Sequence, residues 1–331
     1  MSVFIIAELS ANHGGDLSVA KESLCAIKEC GADAVKLQTY TPEDLTIECR
    51  SEIFRIKGTK WDGKYLYDLY KNAAMPLHWH FELFELAKKL DLTCFSTPFS
   101  PEGVEFLANM GNPIYKIASF EVVDLRLVEA VAKCGKPVIL SSGIATNDEL
   151  NRAINLIKAC GADDITLLKC VSAYPAEICD MNLKEMAAFG ARFGVKFGLS
   201  DHSRGNLAGI IATSLGASAI EKHFILDKKI RSEDAHFSAD SAEFAEFVKA
   251  IRNTQNALGV ENPNILKQGR AFGRSLFVVK DIQKGEILSE KNIRAIRPND
   301  GIEPKFLKEI LGRKAKNDLP FGKPLQWSDF E

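Results

Sequence analysis

The chain has no CxxC pair, no long uninterrupted apolar run, no basic excess and no glycine-rich dinucleotide fingerprint, and each absence closes off a class of function. Its eight cysteines stand scattered at 25, 30, 49, 94, 134, 160, 170 and 179. Several fall inside apolar strand or helix patterns, where cysteine behaves as a small hydrophobe. Reduced thiols and a cytoplasmic setting are therefore expected. No segment reaches the roughly 18 apolar residues of a membrane span. Residues 1–8 lack the basic region and long apolar stretch of a signal peptide. A net charge of −2 argues against a general nucleic-acid binder. The expectation is a soluble protein with neither membrane nor nucleic acid as partner.

What is present fits one large α/β domain and something small: 331 residues, 46% of them hydrophobic. Short apolar runs predict strands at 3–8, 34–38, 92–97, 115–119, 137–142, 165–170, 196–200 and 219–223. Helical patterns run at 18–30, 78–90, 101–109, 124–134, 147–160, 182–193, 205–215 and 241–258. Leu150, Ile154 and Ile157 show the helical spacing. Gly31, Gly111, Gly135, Gly161 and Gly216 stand near helix C-caps. A weak repeat joins them: Cys30-Gly31-Ala32-Asp33-Ala34-Val35-Lys36, Cys160-Gly161-Ala162-Asp163-Asp164-Ile165-Thr166 and Leu215-Gly216-Ala217-Ser218-Ala219-Ile220-Glu221. Each copy reads as helix stop, short turn and new strand. Eight such units without a dinucleotide fingerprint predict a closed (β/α)8 TIM barrel over an open doubly wound sheet.

The barrel is predicted over 1–260, with a linker at 261–274 and a separate small domain at 275–331. In the tail, 275–279, 282–287 and 292–296 read as strands among turns. About sixty residues are marginal for a core of their own, so the tail is expected to lean on a partner surface. One insertion, 41–76, carries the charged and aromatic stretch 54–63. A connection this long is expected either over the catalytic mouth or as a solvated excursion.

Polar residues crowd the predicted strand ends, where βα loops build the active sites of such barrels: Glu8, Lys36, Gln38, Thr97, Lys116, Ser119, Ser141, Lys169, Ser200, His202, Glu221 and His223. The two histidines close consecutive strands, each beside a carboxylate (Asp201, Glu221), so they could hold one divalent metal. A buried lysine is costly unless an anion pairs with it. Lys36 and Lys116 among hydroxyl donors therefore suggest a small dianionic substrate, although an internal Lys–Glu pair could absorb one of them. His78 and His80 read as structural.

Several segments then resemble, in order, the sialic acid synthase family: Ala7-Glu8-Leu9-Ser10-Ala11-Asn12-His13-Gly14-Gly15, Val35-Lys36-Leu37-Gln38-Thr39, Phe95-Ser96-Thr97-Pro98-Phe99, Tyr115-Lys116-Ile117-Ala118-Ser119, Gly198-Leu199-Ser200-Asp201-His202 and Glu221-Lys222-His223-Phe224. In the tail, residues 279–286 and Arg297-Pro298 resemble the family's antifreeze-like (SAF, β-clip) domain. The insertion at 58–62 and the stretch 232–238 are most similar to the family's pseudaminic acid branch. The sialic acid branch has Gly-Pro-Asp where this chain has Ser232-Glu233-Asp234.

The resemblance implies condensation of phosphoenolpyruvate with an amino-sugar aldehyde, 2,4-diacetamido-2,4,6-trideoxy-L-altrose, with release of phosphate. It implies a divalent ion (Mn, Mg or Co) on His202 and His223 and an acid–base role for Glu8. Lys36, Thr97, Lys116, Ser119, Ser141, Ser172 and Ser200 would hold phosphoenolpyruvate, although sialic acid synthases have asparagine at the position of Ser172. Gln38, Tyr174, Glu221 and Asp234 would contact the sugar. Arg297 would reach the neighbouring subunit's mouth in a domain-swapped homodimer. His13 is not made a metal ligand by the motif. The residues leave two alternatives open: the same chemistry on the N-acetylneuraminic or legionaminic acid precursor, and a non-catalytic sugar-binding protein.

Overall fold

Each copy of the Gly-Ala repeat ends a helix and starts a strand through the same hydrogen bond. In the computed structural model, which describes residues 2–59, 61–260 and 269–331, Gly31, Gly161 and Gly216 take φ of +84°, +86° and +91°. That left-handed step turns the next amide back onto the last helical turn: Ala32 to the Ile27 carbonyl at 3.4 Å, Ala162 to Ile157 at 3.2 Å and Ala217 to Ala212 at 3.0 Å. The helix starts are equally local. Asp16 and Asp124 accept amides of the first turn, and Thr146 with Glu149 and Asp240 with Glu243 form capping boxes.

Two compact units divide the chain, Met1–Gly259 and Val260–Glu331. In the first, eight parallel strands pair in chain order: β1 (Phe4–Glu8), β2 (Ala34–Thr39), β3 (Thr93–Pro98), β4 (Tyr115–Ile117), β5 (Val138–Ser141), β6 (Ile165–Cys170), β7 (Lys196–Asp201) and β8 (Ala219–His223). The barrel closes where β1 pairs with β8, from Phe4 opposite Ala219 to Glu8 opposite His223. The helices are α1 (Leu17–Glu29), α2 (Pro42–Leu45), α3 (Leu66–Ala73), α4 (Trp79–Lys89), α5 (Pro101–Asn109), α6 (Leu125–Lys133), α7 (Asn147–Ala159), α8 (Leu183–Phe193), α9 (Leu207–Ser214) and α10 (Ser241–Leu258). Their apolar faces pack on outward strand residues, as Leu24, Ile27, Phe244 and Phe247 do with Ile5, Val35 and Ile220. This is the predicted (β/α)8 TIM barrel. Among the described residues no helix is long and apolar enough to cross a membrane.

The 41–76 insertion is folded, and it is not a solvated excursion. It holds α2, a hairpin joined by the Arg55–Tyr65 bridge and the Ile56–Lys64 amide–carbonyl bond (2.9 Å), and α3.

The second unit pairs β9 (Ser275–Val278) antiparallel with β10 (Ile293–Ile296) and adds the one-turn helix α11 (Leu307–Ile310). The predicted strand at 282–287 is absent as such. Only Ile282 and Ile287 make isolated bridges, to Leu319 and Lys314. The expectation of a marginal core is also corrected. Leu276, Val278, Ile282, Leu288, Ile293, Ile310, Leu319, Leu325 and Phe330 bury one another within this unit, because extended segments too short to form strands still cross and hydrogen-bond. Of the expected 261–274 linker, 261–268 lie outside the described residues; Arg270–Phe272 form a 3-10 turn.

His80 belongs to the scaffold. Its Nδ1 donates to the Leu77 carbonyl at 3.2 Å, leaving Nε2 to accept from the Thr39 hydroxyl at 2.9 Å, and Thr39 meets Ser96 at 2.6 Å. Burial holds its pKa down to about 4, against an opposing hydrogen bond to Leu77. The native ring is therefore neutral where the unfolded chain, from about pH 6.5 downward, binds a proton. Stability falls as pH drops from 6.5 to 4 and is unaffected by this group above that window. The gap between 6.5 and about 4, at ~1.4 kcal/mol per tenfold change in proton affinity, comes to about 3–4 kcal/mol. Urea unfolding of His80→Gln should show an acid-side loss smaller than the wild type's by about this amount. Parallel losses in the two proteins would mean that His80 does not carry the effect.

Candidate active site

The barrel interior changes character in a single step along every strand. At one level Ile6, Ala34, Phe95, Ile139, Leu168 and Ala219 form an apolar plug, with Ile114 against it. At Gly198 an added Cβ would lie 2.1 Å from the Ala219 carbonyl oxygen and 2.8 Å from Leu168, so β7 contributes only backbone there. Because side chains on one face of a strand recur every second residue, the next inward positions are fixed: Glu8, Lys36, Thr97, Lys116, Ser141, Cys170, Ser200 and Glu221. All are buried, yet none is aliphatic. One step further, Gln38, His202 and His223 face the same way.

Above this layer opens a cavity of about 620 Å³, at the C-terminal strand ends where such barrels place their sites. Of the sequence-predicted residues, Glu8, Lys36, Gln38, Lys116, Ser119, Ser141, Ser172, Tyr174, Ser200, His202, Glu221, His223 and Asp234 line it. Thr97 does not. It is fully buried and accepts from Lys36 Nζ at 3.1 Å, so it orients the lysine. Arg297 belongs to the second unit, where it is exposed just after β10. Lys169, counted among the strand-end residues, faces the helix layer and pairs with Glu185 on α8 at 2.8 Å. Its odd position on β6 turns it outward, and Cys170 takes the inward place. His13 packs edge-on against Trp79 and accepts the Gly15 amide, away from the cavity lining.

Charge in the polar layer is internally balanced. Lys36 forms a close pair with Glu8 and lies 3.8 Å from Glu221. Lys116 and the Ser200 hydroxyl each reach Glu221 Oε1 at 3.2 Å. Burial alone would raise the Glu221 pKa, but the ammonium groups of Lys116 and Lys36 hold it below the usual value. Burial pushes Glu8 the other way, up to about 7, with Lys36 pulling down and Glu221 pushing further up. Lys36, with two carboxylates beside it, is raised despite burial; Lys116, with one, is lowered. The layer therefore holds one carboxyl poised near neutrality beside two lysines that share a second carboxylate, whose pKa they hold down. Glu8 Oε1, Glu221 Oε2 and Ser141 Oγ are buried without a hydrogen-bond partner among the described residues.

A hydroxyl pair sits beside this layer. Ser119 and Ser172 Oγ lie 2.9 Å apart, and a Cβ at Gly143 would fall 2.1 Å from Ser119 Cβ and 2.7 Å from Ser172 Oγ. The glycine after β5 is what lets the β4 and β6 loops converge there.

The imidazoles of His202 and His223 lie 5.3 Å apart by ring centre, with the Tyr174 ring 4.4 Å from His202. His202 Nδ1 donates to the Val171 carbonyl at 2.8 Å, which leaves Nε2 as the lone-pair nitrogen. His223 is held neutral by burial and by His202, Lys36 and Lys116 around it, and its Nδ1 has no partner among the described residues. Burial disfavours charge on His202 as well, but the Cys170 thiol and the Val171 carbonyl beside it raise its pKa above the usual value, so a divalent cation on the two imidazoles would bind in exchange for any proton on His202 Nε2. Among the described residues no cluster of three or more His, Cys, Asp or Glu completes a protein ligand set, so such an ion would take its other ligands from solvent or substrate.

The 41–76 insertion lies at the mouth, as one of its two sequence readings had it, but the individual residues of the outer wall were not named from sequence. Ser10, whose hydroxyl donates to Asp234, lines the cavity together with Tyr40, Glu121 and Cys170, and with Ile56, Trp61, Leu69 and Tyr70 of the insertion. Glu121 is pushed up to about 7 by burial. Strand periodicity does not extend into loops; Cys170, at an inward β6 position, carried a signal that could have been used, whereas for the insertion only its length pointed to the mouth.

The chain matches the NeuB family model over residues 24–263 and the SAF domain model over 273–331. It is 57% identical to a Helicobacter pylori pseudaminic acid synthase, over 99% of this chain and 97% of that one. It is 36% identical to an N,N'-diacetyllegionaminic acid synthase of Campylobacter jejuni, over 94% and 95%. The crystal structure of an N-acetylneuraminic acid synthetase from Leptospira borgpetersenii, in complex with citrate, superposes with a TM-score of 0.72 at 31% identity, covering 80% of this chain and 88% of that one. On its sequence, its barrel and its C-terminal unit, the chain belongs to the NeuB family.

Proposed function

We infer that this protein is a pseudaminic acid synthase, a transferase that joins phosphoenolpyruvate to 2,4-diacetamido-2,4,6-trideoxy-L-altrose and releases phosphate. The observation that carries the chemistry is the polar layer: a carboxyl near neutrality, two buried ammonium groups and several hydroxyls beneath two imidazoles. The choice of sugar is supported by the identity of 57% to the Helicobacter pylori enzyme against 36% to the legionaminic acid synthase.

The new bond forms between C3 of phosphoenolpyruvate and the aldehyde carbon; water adds at C2, and the C–O bond to phosphate breaks. Lys36 and Lys116, with Ser119, Ser141, Ser172 and Ser200, hold the phosphate and carboxylate, and their positive charge offsets the negative charge gathering on the departing phosphate. Thr97 supports Lys36 from behind. Glu8, protonated for much of the time near neutral pH, gives its proton to the aldehyde oxygen as that oxygen becomes an alkoxide. Gln38, Tyr174, Glu221 and Asp234 orient sugar hydroxyls and amides. His202 and His223 would hold a divalent cation (Mn, Mg or Co), which when bound polarises the aldehyde and orders water. The working form is a cytoplasmic homodimer exchanging its C-terminal domains, with Arg297 serving the neighbour's sugar site and 261–274 as linker.

A product assay tests this reading. Wild-type protein is given phosphoenolpyruvate with each of three aldehydes (the diacetamido altrose, N-acetylmannosamine and the legionaminic acid precursor), with and without chelator. The altrose sugar should turn over fastest and chelator should abolish turnover. Faster use of N-acetylmannosamine would return the chain to the sialic acid branch, and no phosphate release with any aldehyde would leave a sugar-binding protein.

A further inference from the structure

The cavity has two unlike halves. Its floor is the ionised, hydroxyl-bearing layer; its outer wall is built largely by the insertion, with Ile56, Trp61, Leu66 and Leu69 on one side. A three-carbon phosphate held on the floor leaves most of 620 Å³ unfilled, so the wall faces the second substrate.

That wall is tied in place through Glu233. Trp61 sits at the tip of the hairpin, where the Gly58 amide donates to Asp62 at 2.8 Å and the Gly63 amide to the Ile56 carbonyl at 2.9 Å. Its indole Nε1 donates to Glu233 Oε2 at 2.8 Å, and Lys64 Nζ pairs with Oε1 at 2.7 Å, so both carboxylate oxygens hold the hairpin. Glu233 stands on a loop that is fixed from below. Ser232 Oγ donates to Asn12 Oδ1 at 2.7 Å, Asn12 Nδ2 donates to the Phe224 carbonyl and to Ser238 Oγ at 2.8 Å each, and Ser10 reaches Asp234. The next residue, Asp234, also lines the cavity. One loop thus carries a polar sugar contact and, one residue earlier, the anchor for an apolar wall.

We propose that the contacts of Trp61 and Lys64 with Glu233 form a clasp that sets the hairpin as an apolar roof over the sugar, and that this roof selects a substrate presenting methyl groups where common hexoses present hydroxyls. Glu233 is a positioning residue; Trp61 is the wall. The physical reason for selectivity is that a hydroxyl placed against this wall loses its water and gains no partner, whereas a deoxy methyl or an acetamido methyl loses nothing. The proposal rests on the sugar assigned above and adds the element that reads it.

The test uses the full-length protein and the variants Trp61→Ala, Trp61→Phe and Glu233→Gln, each checked by thermal midpoint before kinetics. Steady-state constants are measured for phosphoenolpyruvate, the diacetamido altrose and N-acetylmannosamine. Trp61→Ala should raise the altrose KM about tenfold or more and lower the preference for it over N-acetylmannosamine by a similar factor, with the phosphoenolpyruvate KM within about twofold. Trp61→Phe, which keeps a ring but not the N–H, should recover part of the loss. Glu233→Gln keeps one bond to Trp61 and removes the charge, so it should shift the same constants in the same direction by less; being partly exposed, it also keeps the test readable if Trp61→Ala does not fold. Unchanged preference in Trp61→Ala and Glu233→Gln, or a phosphoenolpyruvate KM that rises as far as the sugar's, overturns the clasp. If the wild type prefers another aldehyde, the sugar assignment fails by itself, and the clasp is judged on that aldehyde by the split between sugar and phosphoenolpyruvate KM.

Discussion

Glu8→Gln is expected to lower kcat by two to four decades, the range that a positioned general acid or base contributes, while the barrel stays folded. Breaking a buried ion pair ordinarily costs about 3–5 kcal/mol, but here the wild-type carboxyl, pushed up to about 7, is already protonated for much of the time at neutral pH. Glutamine resembles that neutral form in shape and in hydrogen-bonding capacity, and Lys36 keeps Thr97 and the more distant Glu221. The effect should therefore fall on the chemical step. In the wild type, a group acting as acid is present below its pKa and lost above it, so kcat should decline as pH rises through about 7. The variant should lack that limb. Turnover within tenfold of wild type, or an unchanged pH limb, would remove Glu8 from the mechanism.

Glu221→Gln is expected to produce the largest loss of stability. Glu221 is the only carboxylate within ion-pair distance of Lys116 among the described residues, it also neutralises Lys36, and it accepts from Ser200. Removing its charge leaves a buried ammonium group uncompensated, which costs about 3–5 kcal/mol. Inorganic phosphate supplies the missing charge if the two lysines form the anion site. The thermal midpoint of Glu221→Gln should then rise with phosphate, through selective binding to the folded state, and by more than the wild type's does. A variant as stable as wild type would show that Lys116 sheds its proton instead. Equal phosphate effects on both proteins would move the anion site elsewhere.

How far the fold could be read from the residues depended on how local the signal was. The three Gly-Ala stops could be read because a left-handed residue and the backward amide bond involve one turn of helix only. The strands could be read because a parallel barrel buries them on both faces and makes them continuous apolar runs. Inward and outward positions were harder. Lys169 and Lys36 look alike in a list of strand-end lysines, yet one pairs with α8 and the other with Glu8. The tail misled for a related reason: its core forms from bridges between segments too short to show a period.

By itself, then, the sequence determined the barrel, its strand ends and the set of residue types gathered there, because periodicity and capping act between neighbours in the chain. Only the tertiary structure decided how that set divides. It made Glu221 the shared partner of both lysines, gave Thr97 a supporting place, left Glu8 with a raised pKa and folded the 41–76 insertion into an outer wall joined to Glu233. Those outcomes depend on distances between residues far apart in the chain, Lys36 with Glu221 and Trp61 with Glu233 among them, and on the low polarity of a closed interior, which no local pattern encodes.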